Sequence, residues 1–152
     1  MDSTNANDEG IRSTGGQVHL INGGPVMWRA YKEDVVALSS MEAELICMTD
    51  TLKGEVQLNS LLEELTGCKD RGTLYEDNTK AINLSKEPGS EHRGARHIDV
   101  RYHWISECMK LGKIGEIRWI SGKENLADVF TKNLGRPEFE RWRDVLVRAK
   151  KM

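Results

Sequence analysis

The run Asn22-Gly23-Gly24-Pro25 separates two stretches with strand character, residues 17–21 (QVHLI) and 26–31 (VMWRAY). Asn-Gly tolerates the positive φ angles that a tight antiparallel reversal requires, so these stretches are predicted to pair as a hairpin. A hairpin followed by helical patterning limits the chain to folds in which an antiparallel ribbon is covered by helices. Residues 2–16, which are polar and glycine-rich, are expected to form an exposed turn ahead of it.

The pattern changes to helical after the hairpin. Ser39 and Glu42 have capping-box spacing, and Met41, Leu45, Met48 and Leu52 then recur on one helical face. Gly54 is expected to break this helix, with a second one over residues 55–65 that Gly67 ends. Downstream, the pattern predicts a short strand at 73–75, a helix through Ala81, Ile82 and Leu84, and a polar basic loop at 91–96. It continues with a helix over 98–111 closed by Gly112, a strand at 116–120, a helix opened by Asn125, and a last helix over about 137–150. Strands alternating with helices make an α/β domain with one antiparallel edge. The length of 152 residues suits a single domain.

Composition narrows the classes. Apolar residues make up 38% and charged residues 30%, and no apolar run is long enough to span a bilayer, so no membrane partner is expected. Cys47, Cys68 and Cys108 form no metal-binding spacing and are expected to be buried, reduced thiols of an intracellular protein. A net charge of −2 argues against a basic nucleic-acid coat, although carboxylates that hold cations would contribute negative charge of this kind. The four tryptophans, Trp28, Trp104, Trp119 and Trp142, are expected to be core aromatics rather than base-stacking platforms.

Phosphodiester hydrolysis requires activation of water and stabilisation of the leaving oxygen. Two divalent ions about 3.5–4 Å apart do both, held by carboxylates. Four acids have suitable placements. Asp2 is expected at the end of a first strand, Glu44 in the early turns of the capped helix, Asp77 directly after the short strand, and Asp128 in the helix following residues 116–120.

The strings DSTNAND, NGGPVMW, VVALSSMEAEL, LYEDNTKAINLSK, RHIDVRYHWI and ENLADVFTKNL, in that order, are similar to those of copia-type retrotransposon ribonuclease H domains. The resemblance covers nearly the whole chain. It implies a ribonuclease H-like α/β fold, with a mixed central sheet, an antiparallel hairpin edge and helices on both faces. It also implies an endonuclease that cuts the RNA strand of RNA–DNA hybrids using two Mg²⁺ or Mn²⁺ ions. Asp2, Glu44, Asp77 and Asp128 would be both the catalytic acids and the metal ligands, with Asp2 bridging the ions, Glu44 and Asp77 completing one site and Asp128 the other. Water would attack the phosphate in line, leaving a 3′-hydroxyl and a 5′-phosphate. Ser3, Asn78, Arg93, Arg96, His97 and Lys132 would be substrate contacts, with Lys80, Lys86 and Lys123 nearby in sequence. Implied partners are the hybrid and the reverse transcriptase domain of the same polyprotein, in a cytoplasmic retroelement particle or the nucleus. His97, Asp99 and His103 have spacing that suits no single helix face, which disfavours a zinc site.

The chain departs from that pattern at several points. Thr4 and Asn5 stand where many relatives have Asp and Trp, and Gly122-Lys123-Glu124 stands where cellular ribonucleases H carry a histidine. Asp2 follows Met1 directly, so the first strand is expected to be truncated. The alternative reading is therefore an inactive retroelement remnant that only binds nucleic acid or a protein partner. An integrase-like core is disfavoured by Glu44 and the Leu-Ala-Asp string.

Overall fold

The computed structural model describes residues 2–4, 12–34, 36–37, 39–86 and 96–147, with the backbone alone at 2–4, 84 and 96–99. Among these, two small sheets and five α-helices make a mixed α/β unit. Strands β1 (Asp2–Thr4), β2 (Thr14–Ile21) and β3 (Gly24–Lys32) form an antiparallel sheet in that order. Strands β4 (Leu74–Glu76) and β5 (Ile117–Trp119) form a parallel pair. The single mixed sheet expected from the sequence is thus divided in two among the described residues. The three-residue β1 pairs with β2, and no described strand joins the sheets.

The hairpin forms as the Asn-Gly signal requires, with Asn22 at φ 53° and Gly23 at φ 79°. Its strands are longer than the alternation indicated. Thr14, Gly15 and Gly16 belong to β2, and Gly15 and Gly16 are buried, whereas the sequence placed them in an exposed turn. Glycines carry no strand signal of their own, and their pairing here is set by Tyr31 and Ala30 across β3.

Helix α1 runs unbroken from Ser40 to Thr66. Ser39 Oγ accepts the Glu42 amide at 3.2 Å, and Gly67 ends the helix in the left-handed conformation at φ 72°. The expected break at Gly54 does not occur. A Cβ on Gly54 would lie 2.8 Å from Met27 Cε and 3.2 Å from His19 Nε2, so the glycine lets the helix lie against the hairpin. Its helix penalty, about 1 kcal/mol, is small beside the packing of a long helix.

Helices α2 (Thr79–Lys86), α3 (Arg96–Lys110), α4 (Asp128–Thr131) and α5 (Arg136–Val147) follow, with a turn of 3₁₀ helix at Gly122–Glu124. The core joins Leu45, Met48 and Leu52 of α1 to Leu74 and Ile117 of the parallel pair, with Ala81, Ile82, Tyr102 and Ile105 from α2 and α3. Cys47 and Cys108 are buried and in no disulfide, but Cys68 lies exposed just past the α1 cap, against expectation, because the chain there has left the core. No helix among the described residues is long and apolar enough to cross a membrane.

Just beyond β3, Glu33 is fully buried and neither carboxylate oxygen has a hydrogen-bond partner among the described residues. Burial pushes its carboxyl up to about 7; Arg101 opposes this, and Asp50 and Glu42 add to it. The folded state therefore holds a proton that the unfolded chain has already released between the ordinary carboxylate range and about pH 7. Stability should fall as pH rises through that window, by up to about 1.4 kcal/mol per pH unit. Urea melts at pH 5, 6, 7 and 8 should show that decline, and Glu33→Gln should make it shallower below about pH 7, leaving the part due to Glu76, which burial pushes up to about 8.

Candidate active site

Gly16 is where the site elements meet. It lies opposite Asp2 in the β1–β2 register, and its carbonyl accepts Cys47 Sγ of α1 at 3.6 Å. A Cβ on Gly16 would stand 2.6 Å from Thr131 Cγ2 and 3.0 Å from Phe130 Cβ, so α4 rests directly on the strand. Glu44 lies one helical turn before Cys47, and Asp128 opens α4. The elements carrying Asp2, Glu44 and Asp128 therefore converge at one glycine.

Asp77 reaches the same region by another route. Strand β4 buries Leu74, exposes Tyr75 and buries Glu76, and Asp77 follows at the strand's carboxyl end. Glu76 Oε1 accepts the Asn78 amide at 2.9 Å, and Trp119 Nε1 donates to the Asp77 carbonyl at 3.2 Å. A Cβ on Gly122 would lie 3.2 Å from Asp77 Oδ2, which puts the Asp77 carboxylate against the turn after β5. The Asp77 backbone is thus held from both sides.

Acidic charge is concentrated in this region. Glu44 and Asp128 are nearly buried, at 8% and 6% exposure. Burial and then the Glu44 charge push Glu76 up to about 8, and burial pushes Cys47 up to about 12. Lys132 Nζ lies 2.9 Å from Asp128 Oδ1 and is the cation that faces this acid. Lys132 is thus engaged by a neighbouring carboxylate while its side chain stays partly exposed.

Asn78 also has a structural task. Its Oδ1 accepts the amides of Lys80 at 3.0 Å and Ala81 at 3.3 Å, capping α2. Arg93 lies outside the described residues, as do the side chains of Asp2, Ser3, Arg96, His97 and Asp99. The backbone of Arg96, which the sequence placed in the basic loop, begins α3. His103, Lys80, Lys86 and Lys123 are exposed.

Two tryptophans depart from expectation. Trp28 and Trp119 are 60% and 58% exposed, whereas Trp142 is buried and Trp104 packs beside the core. Trp28 lies on the outward side of β3. Trp119 is drawn out of the core by its hydrogen bond to Asp77.

Among the described residues, no three His, Cys, Asp or Glu side chains are grouped closely enough to hold a metal. The donors present still suit a hard divalent ion in kind. They are carboxylate oxygens, Glu76 Oε2 is buried without a hydrogen-bond partner, and an ammonium already sits on Asp128. Glu44, Asp77 and Asp128, with Asp2, are the residues that would hold such ions. A separate cavity of about 480 Å³ lies between β2, α1, β4 and the segment at 124–127, and none of the four acids lines it. Glu76 was missed by sequence reasoning, although strand alternation from Leu74 was sufficient to place it on the buried face.

The chain is 38% identical over 129 residues, 85% of its length, to the retrovirus-related Pol polyprotein from transposon TNT 1-94 of Nicotiana tabacum. It is 32% and 31% identical over 129 residues to the Pol polyproteins from transposons RE1 and RE2 of Arabidopsis thaliana, covering 84% of the chain in each case. The matched segment makes up 10%, 9% and 9% of these relatives, so the chain spans about a tenth of their length. No family model matches the chain, and no solved structure does. The chain is thus related to the Pol polyproteins of plant transposons.

Gly16→Ala should force α4 off β2 and cost about 1–3 kcal/mol in urea unfolding. Asn78→Ala should cost about 1 kcal/mol through loss of the α2 cap, and Asn78→Asp should restore most of it. If stability were unaffected by Asn78→Ala, the capping role would be wrong.

Proposed function

We propose that this domain is an endoribonuclease of a copia-type retroelement polyprotein, cutting the RNA strand of RNA–DNA hybrids. The reading is carried by the meeting of the Asp2, Glu44 and Asp128 elements at Gly16, with Asp77 presented from the end of β4. Relatedness to transposon Pol polyproteins supports it, because copying RNA into DNA in such an element leaves a hybrid whose RNA must be removed.

Bound Mg²⁺ or Mn²⁺ would supply charge neutralisation at the phosphate and a more acidic water. The residues of the chain would do the rest. Asp2, Glu44, Asp77 and Asp128 would hold the ions, and the Trp119 and Asn78 contacts keep the Asp77 turn in place. Lys132 balances the Asp128 charge within the folded protein. The hybrid would be recognised by groove shape and 2′-hydroxyl contacts rather than by base sequence. Exposed Trp119, fixed beside Asp77, offers an aromatic face at the edge of this surface. Ser3, Arg93, Arg96, His97 and the lysines near Asp77 and Asp128 are the proposed phosphate contacts. The reverse transcriptase domain of the same polyprotein is the proposed covalent neighbour, in the cytoplasmic particle or the nucleus.

A second reading, an inactive remnant that only binds nucleic acid or a protein partner, is favoured by one observation. The described acids do not form a three-ligand group, and Lys132 already faces Asp128.

One assay separates the two. The purified chain, incubated with a labelled hybrid and Mg²⁺ or Mn²⁺, should release 5′-phosphorylated RNA fragments. Asp77→Asn should reduce cleavage at least about a hundredfold, as for loss of a group acting on developing charge. Salt-sensitive binding without product, unchanged by Asp77→Asn, would establish the remnant instead.

A further inference from the structure

The pairing of β4 with β5 ends one residue before Asp77. The Leu74 amide donates to the Glu116 carbonyl at 3.0 Å, and the Ile120 amide donates to the Glu76 carbonyl at 3.0 Å. The chain then bends at Asp77 and enters α2 at Thr79. The next carbonyl along the chain, that of Asp77, is met by a side chain instead of a strand, with Trp119 Nε1 donating to it at 3.2 Å. Water can satisfy a carbonyl at the surface, so solvation alone does not call for a tryptophan. What the indole adds is orientation, because its own backbone is held in β5 at the register position of Glu76.

Three residues on, Gly122 meets the side chain of the same acid. A Cβ there would stand 3.2 Å from Asp77 Oδ2, closer than ordinary van der Waals contact. Among the described residues the glycines at positive φ are Gly23, Gly67 and Gly112, so Gly122 has a backbone that any L-residue adopts. Conformational freedom is therefore not what glycine supplies at the start of this 3₁₀ turn. It supplies room for the Asp77 carboxylate. One short segment at the end of β5 thus fixes the main chain of Asp77 through Trp119 and leaves space for its carboxylate at Gly122.

We propose that Trp119 and Gly122 are positioning residues for Asp77, setting where its carboxylate stands at the end of β4. Neither would touch the metal or the scissile phosphate, and both act through Asp77. Such placement matters because a displacement of about 1 Å can cost about a hundredfold in rate. The inference rests on the nuclease reading for the purpose of Asp77, while the two contacts belong to the fold whatever that purpose is.

Two variants of the full 152-residue chain test this. Trp119→Phe keeps an aromatic ring but loses the donor. It should lower kcat for hybrid cleavage about tenfold or more with KM unchanged. It should also shift the Asp77 carbonyl and Asn78 amide NMR signals while leaving those of α5 in place. Gly122→Ala should weaken Mn²⁺ binding, followed by calorimetry, about tenfold. Its urea midpoint should hold or rise, because alanine at an ordinary φ reduces the freedom of the unfolded chain. A glycine needed only for the fold would show the reverse, lost stability with Mn²⁺ affinity intact, and that result would overturn the inference. If both variants keep the kcat and Mn²⁺ affinity of the unaltered protein while Asp77→Asn loses them, the inference falls and the nuclease reading stands. If the unaltered protein binds Mn²⁺ but leaves hybrids intact, the nuclease reading falls, and the Mn²⁺ affinity of Gly122→Ala decides the inference. If it binds no Mn²⁺, both fall.

Discussion

The close approach at Gly16 is the constraint on which the rest of the structure depends. A strand that lacks a side chain at this point can be approached by β1 in the sheet plane, by the Cys47 thiol from α1 and by α4 through Phe130 and Thr131. Any Cβ there would have to displace the Thr131 and Phe130 side chains and crowd the Ala127 carbonyl, so side chains of α4 rest directly on the bare strand backbone. Protein interiors are packed densely enough that such a contact is not absorbed by slack elsewhere. The acids are far apart in the chain, and it is this contact that brings three of their elements together.

The same region shows how charge is handled in a small domain. Asp128 is nearly buried but has Lys132 one helical turn away. Glu76 has a backbone amide on one side and a like charge on the other. Glu33 lies apart from the site and has neither satisfied oxygen. Burying carboxylates without full compensation destabilises a fold, and a chain of this length has a limited apolar core to offset it. At Glu33 no purpose is evident in the structure. At Glu76 one oxygen is held by the Asn78 amide, which ties the buried acid to the start of α2.

Much of the architecture was legible in the residues because its signals are local. Asn22-Gly23 specifies a reversal, Ser39 a helix start, and Gly67 and Gly112 the left-handed ends of helices. The positions of Glu44, Asp77 and Asp128 at the ends of their elements followed from pattern and from family resemblance. Gly54, Gly16 and Trp119 were misjudged or passed over for a common reason. A glycine reads as a break or a turn when its neighbours in space are unknown, and a tryptophan reads as core until its N–H is seen to have a partner at the surface.

By itself, the sequence determined the hairpin, the caps, the succession of strands and helices, and which acids could serve hydrolysis, since each depends on residues a few positions apart. Only the tertiary structure decided that α1 runs through Gly54, that the strands divide into two sheets, and that Glu76 is fully buried with one oxygen on the Asn78 amide. These depend on contacts between segments tens of residues apart. Backbone approach and burial determine them, and neither is encoded by any one stretch of the chain.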